Sequence, residues 1–166
     1  MNFAIKKKYF AFILITITLA TSLWGCGANP KNFTKSDLTV TLNTNFEESS
    51  KSGFDVYIIS SDVIFSATRE DAGDLEYAGY EINSLQDYCY EILTLNGAST
   101  TDLVKRNDYY YFVDNKVVDN AEYTYFHCMY KGNNSYWICE FVCKAKNYDI
   151  FEDSFLIWAD SIKIED

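Results

Sequence analysis

Three Asn/Asp pairs, Asn107-Asp108, Asp119-Asn120 and Asn133-Asn134, divide the stretch from Asp102 to Lys146 into four apolar-rich runs. Both residue types tolerate positive φ, so such pairs close antiparallel hairpins. Residues 102–106, 109–118, 122–131 and 135–146 therefore predict a meander of four strands. With a two-residue turn at Asn133-Asn134, Gly132 faces Ser135 and Cys128 faces Cys139. Strand alternation then places Trp137, Cys139, Phe141 and Cys143 on one face beside Phe126, Cys128 and Tyr130. The other face carries Tyr136, Ile138, Glu140 and Val142 beside Tyr125, His127, Met129 and Lys131. Neither face is cleanly polar, so both are expected to be at least partly covered. A slip of one residue would exchange the two sets.

The flanking segments supply that cover. Leu38 to Leu42, Phe54 to Ile59 and Val63 to Thr68 predict three further strands. Arg69 to Glu81, acidic and carrying Gly73 and Gly79, reads as a long connection. Leu85, Tyr88, Cys89, Ile92 and Leu95 repeat at helical spacing, with Asn83 or Ser84 as cap and Asn96-Gly97 as stop. A second helix spans about 148–161, its apolar stripe formed by Tyr148, Phe151, Phe155, Trp158, Ala159 and Ile162. Ile162-Lys163-Ile164 adds a brief terminal strand. The expected class is α/β (α+β), a central antiparallel sheet covered by helices on both sides.

The amino-terminal residues belong to a different problem. Lys6, Lys7 and Lys8 precede an apolar segment from about Tyr9 to Ala20, too short to span a bilayer comfortably. Leu23-Trp24-Gly25-Cys26 follows it and resembles the lipobox of bacterial lipoproteins. That resemblance implies a signal peptide over 1–25, cleavage between Gly25 and Cys26, and lipidation (palmitate included) of Cys26. Trp24 departs from the small or aliphatic residue usual there. Residues 26–35 then read as a polar, lipidated tether and 36–166 as a single domain. The expected location is the outer face of the cytoplasmic membrane of a bacterium, and the composition fits a low-GC genome.

Charge narrows the partners. None of the 24 acidic residues precedes Cys26, while the signal takes three of the 14 basic ones. So acidic a body excludes nucleic acid as a partner and disfavours an anionic membrane surface, leaving the lipid as the membrane contact.

The run Ser135-Tyr136-Trp137-Ile138-Cys139-Glu140-Phe141, with Lys146-Asn147-Tyr148-Asp149 and Phe155-Leu156-Ile157-Trp158-Ala159-Asp160-Ser161-Ile162, resembles small lipoproteins of low-GC Gram-positive bacteria with the PsbP-like, or DcrB-like, fold. The resemblance lies mainly in residues 122 to 162. It implies an antiparallel sheet between helices and an accessory or binding role, with no catalytic residues to carry over.

Candidate chemistry is sparse. His127 is the only histidine, and no nucleophile motif accompanies it. A zinc site from His127, Cys128, Cys139 and Cys143 fails because His127 and Cys128 point to opposite faces. Cys128 and Cys139 are placed for a cross-strand bond or as buried free thiols. Asp71, Asp74 and Glu76 offer oxygen ligands for calcium without the spacing of an EF-hand loop. The surplus is in tyrosine, with 14 in the chain. Tyr77, Tyr80, Tyr109, Tyr111 and Tyr125 are the candidate binding residues, for a sugar or a protein surface. The expectation is a non-enzymatic, cofactor-free lipoprotein that binds an envelope protein. The alternatives are a small-ligand or cation binder and, third, a hydrolase using His127.

Overall fold

A computed structural model describes residues 29–165. The expected cleavage and lipidation at Gly25 and Cys26 lie outside the described residues. Strands β1 (Pro30–Lys35), β2 (Leu38–Asn43), β3 (Glu47–Ser49), β4 (Val56–Ile59) and β5 (Val63–Asp71) come first. Helices α1 (Ala72–Tyr77) and α2 (Leu85–Asn96) follow, then β6 (Val104–Arg106), β7 (Tyr109–Val118), β8 (Ala121–Lys131) and β9 (Ser135–Lys144). Helix α3 (Tyr148–Asp160) and β10 (Lys163–Ile164) end the chain.

Seven strands form one antiparallel sheet in the order β3-β4-β5-β9-β8-β7-β6. The meander is as the turn residues dictate. Asn107, Asp119 and Asn120 take positive φ, and the Gly132 N–H donates to the Ser135 carbonyl at 2.9 Å. Cys128 pairs with Cys139, so both predicted face assignments hold.

One face packs on α3. Phe126, Phe141, Phe155 and Trp158 meet there, with ring centroids 5.4 Å apart for Phe141 and Phe155 and 5.7 Å for Phe141 and Trp158. The other face receives α2, whose Tyr88, Cys89, Ile92 and Leu93 cover Phe112, Met129 and Tyr136. Ser84 caps that helix by accepting from the Asp87 N–H at 3.2 Å. Gly97, at φ 69°, ends it in the left-handed conformation that favours glycine. Sheet and helices thus form the mixed α+β architecture, with helical cover on both faces.

Four details differ from expectation. Pro30–Lys35, read as part of a polar tether, is a strand, because Ser36 and Asp37 at φ 52° and 67° fold it back as a hairpin onto β2. Its outward side chains are polar, while Phe33 is buried in the core. That hairpin joins β10 in a separate three-stranded sheet, so α3 shares its face with Leu38, Val40 and Leu42. The acidic connection is instead the end of β5 followed by α1. In α2, Leu93 rather than Leu95 faces inward, since helical rotation carries Leu95 to 71% exposure. Among the described residues, no helix is long and apolar enough to cross a membrane.

Phe141→Ala should lower stability in urea unfolding by about 3–5 kcal/mol, because a fully buried ring leaves a cavity. Leu95→Ala, on the solvent face of α2, should stay within about 0.5 kcal/mol of the parent.

Candidate functional site

The site begins with a polar row inside the sheet. On the α2 face, β9 sets Glu140 directly opposite His127 of β8, and β5 sets Ser66 opposite Glu140. Asp114 of β7 pairs with Tyr125, which makes it the diagonal neighbour of His127. His127 is fully buried, its ring stacked on Phe112 with centroids 4.4 Å apart. Its Nε2 lies 3.0 Å from Asp114 Oδ1. Its Nδ1 lies 3.0 Å from Glu140 Oε1, at ion-pair distance although its N–H is not aligned on that oxygen.

Further groups hold the two carboxylates. The Ser66 hydroxyl donates to Glu140 Oε2 at 3.3 Å, and Lys116 Nζ lies 3.4 Å from Asp114 Oδ2. Lys116 also donates to Asn96 Oδ1 at 2.7 Å, tying the end of α2 to this row. Burial alone would lower the His127 pKa, but the hydrogen bond to Asp114 and the contact with Glu140 outweigh it and raise the value. Burial would likewise raise Asp114 and Glu140, yet the bonds to His127 hold both below their ordinary values. The pattern is an imidazole held between two carboxylates that favour its protonated form.

Beside this row the sheet opens. Tyr125 lies beside His127 with its ring nearly parallel, centroids 5.9 Å apart, and Lys116 Nζ sits 5.0 Å from the Tyr125 ring centre. Tyr125 also lines a groove of ≈ 590 Å³ together with Tyr123, Val142, Lys51, Lys144 and Lys146. That volume falls within the range of about 300–1,000 Å³ usual for small-molecule sites.

The tyrosine candidates separate into three groups. Tyr77 is 95% exposed and Tyr80 also faces solvent. Tyr125 is half-buried at the groove. Tyr109 is not available for binding. It is buried against Tyr130, ring centroids 5.0 Å apart, and its hydroxyl donates to Asp160 at 3.0 Å. Tyr111 is packed on Phe126, 4.9 Å between centroids, as part of the α3-side core.

Asp71 caps α1 by accepting from the Gly73 N–H at 2.9 Å, and it pairs with Arg69 at 3.5 Å. Among the described residues no cluster of three or more His, Cys, Asp or Glu is arranged to hold a metal ion, so Asp71, Asp74 and Glu76 do not converge on one. Cys89, Cys128, Cys139 and Cys143 are buried free thiols. Burial pushes Cys89 up to about 12 and Cys143 up to about 11, which keeps both protonated and unreactive at neutral pH.

Glu140 stood on the same expected face as His127, but Asp114 was missed. The signal was available. Reading Asp119-Asn120 as a two-residue turn pairs Val118 with Ala121, and hence Tyr125 with Asp114 and Tyr130 with Tyr109.

This is a mixed α+β protein whose central antiparallel sheet encloses a charged row and bears an open groove at one end. Among solved structures it is similar to the solution structure of cyanobacterial PsbP (CyanoP) from Synechocystis sp. PCC 6803. Identity is 13%, over 86% of this chain and 98% of that one, with a TM-score of 0.46. It is also similar to a crystal structure from Bacteroides thetaiotaomicron VPI-5482, at 14% identity and a TM-score of 0.50, covering 78% of this chain. The chain matches 46% of that protein, about half its length. No protein-family model matches the sequence, and no curated protein sequence matches it.

The charged row predicts a pH profile. A raised His127 pKa contributes stability that is fully present below the ordinary histidine value of 6.5 and is lost as pH rises through the folded-state value. The lowered carboxylates contribute stability that is present above their ordinary values of 3.8 and 4.5 and is lost on the acid side. Denaturant unfolding followed across pH should therefore give a maximum between those limits. His127→Gln should cost about 3 kcal/mol at that maximum, because it leaves Glu140 without its cation and Asp114 with Lys116 alone. It should also abolish the decline that begins above pH 6.5, ahead of the ionisation of the buried thiols and tyrosines; a decline of unchanged size there in the variant would contradict the raised histidine pKa.

Proposed function

We propose that the protein is a membrane-anchored extracytoplasmic lipoprotein that acts as a non-enzymatic binding or accessory module for an envelope partner. The observation that carries the reading is the run Leu23-Trp24-Gly25-Cys26, which resembles a lipobox, a few residues before a single compact domain. A lipid on Cys26 holds the domain at the outer face of the membrane, and the excess of acidic residues keeps its body off the anionic surface. The state of His127 supports a binding role over a hydrolytic one. A fully buried imidazole, with Nε2 on Asp114 and Nδ1 3.0 Å from Glu140, has no solvent-facing nitrogen with which to activate a nucleophile.

Tyr77 and Tyr80, exposed on α1 and the segment that follows it, offer amphipathic rings to a protein surface. In-cell crosslinking of the full-length chain should enrich one dominant envelope protein, read by mass spectrometry. Cys26→Ala should remove that protein from the crosslinked fraction. Tyr77→Ala with Tyr80→Ala should weaken its capture while leaving the domain folded. Turnover of a defined substrate by the intact protein would contradict the reading, and its loss in a folded His127→Ala variant would contradict the non-catalytic role given to His127.

A further inference from the structure

The groove beside Tyr125 is cationic in a protein that is otherwise acidic. Lys51, Lys144 and Lys146 all line it, although the chain carries 24 acidic residues against 14 basic ones. Among the described residues, none of these three lysines has a carboxylate within ion-pair distance. Asp62 and Asp119 also stand on the rim, and Asp62 is engaged by the Ser61 hydroxyl, which donates to it at 2.6 Å. Three lysines facing two aspartates leave a positive excess within this groove, in a chain whose formal net charge is −10.

One of these charges is held by the wall. Lys51 Nζ sits 5.6 Å from the centre of the Tyr57 ring and 5.7 Å from that of Phe54, a cation–π arrangement that positions the amine at the groove wall. Lys144 extends from the end of β9, and Lys146 follows in the turn leading to α3. The floor is of a different kind. Tyr123 and Tyr125 are half-buried neighbours along β8, so their rings and hydroxyls together line a surface both apolar and hydrogen-bonding. The volume of ≈ 590 Å³ exceeds what a bare inorganic anion fills.

We propose that this groove binds an acidic saccharide, with Lys51, Lys144 and Lys146 meeting its carboxylate or phosphate groups and Tyr123 and Tyr125 receiving its sugar rings. Charge-assisted bonds from the lysines supply the anion preference, and the tyrosine rings supply shape. The site is separate from the exposed Tyr77 and Tyr80, so ligand binding and partner capture are independent readouts.

Calorimetric titration of the full chain in detergent tests the site, with trigalacturonate, a neutral trisaccharide and inorganic phosphate as probes. The expected result is binding of trigalacturonate alone, weakening as salt rises. Lys144→Glu with Lys146→Glu, both exposed and far from the core, should weaken it by roughly tenfold or more. Tyr123→Ala should weaken it several-fold. Lys105→Glu with Lys163→Glu makes the same change in net charge away from the groove and should leave binding intact. Equal binding of the neutral sugar, equally tight binding of phosphate, or an equal loss in the control pair would overturn the proposal. So would the absence of binding by a chain whose unfolding transition is normal.

Discussion

The register of the β8–β9 hairpin is the constraint on which the rest of the structure depends. With Cys128 opposite Cys139, Phe126 and Phe141 turn toward α3, and His127 and Glu140 turn the other way. A slip of one residue would drive His127 into the aromatic layer while its two carboxylates stayed behind. Burying an unpaired charge there costs several kcal/mol, on top of the lost packing of Phe126 and Tyr130. The charged row and the aromatic core therefore disfavour the same error from opposite faces. Each layer laid on the sheet, α2 on one side and α3 with the β1–β2 hairpin on the other, presupposes this pairing.

Much of that was legible because hairpin turns convert sequence positions into spatial partners. The Asn133-Asn134 turn alone assigns both faces of β8 and β9. The same arithmetic at Asp119-Asn120 places Tyr109 opposite Tyr130 and Tyr111 opposite Cys128, both on the aromatic side, where Tyr109 is buried and Tyr111 packs on Phe126. Applied there, it would also have set Asp114 beside His127. Other features follow from long-range contacts that composition does not carry. Pro30–Lys35 is polar on its outward side chains and becomes a strand because β2 supplies a partner and Phe33 a buried anchor. The short β3 exists only as an edge on β4, and Leu93 displaces Leu95 because the sheet lies on one side of α2.

The two ends of the α2 face do different work. Where α2 covers the sheet, the side chains are apolar or aromatic: Phe112, Met129 and Tyr136. Beyond the helix, the strands carry Tyr123 and Tyr125 into the groove, with lysines at its rim. His127, Asp114 and Glu140 lie between, and pairing among them and with Lys116 allows ionised groups to sit next to the apolar layer. The row thus acts as a seam between covered and open sheet. Lys116 stitches it to the end of α2 through Asn96 and sits over the ring of Tyr125, so the seam also holds one wall of the groove.

The pairing itself can be observed directly. The bond from the Gly132 N–H to the Ser135 carbonyl makes that a hydrogen-bonded pair, and alternation along the ladder makes His127 and Glu140 a closely spaced, non-hydrogen-bonded one. Proton NMR of the labelled protein should therefore show a strong cross-strand Hα–Hα Overhauser contact between His127 and Glu140, repeated for Met129 with Ile138 and Tyr125 with Val142. Contacts from His127 to the Hα of Cys139 or Phe141 instead would mean a shifted register, and with it the loss of the charged row, the aromatic core and the groove as described.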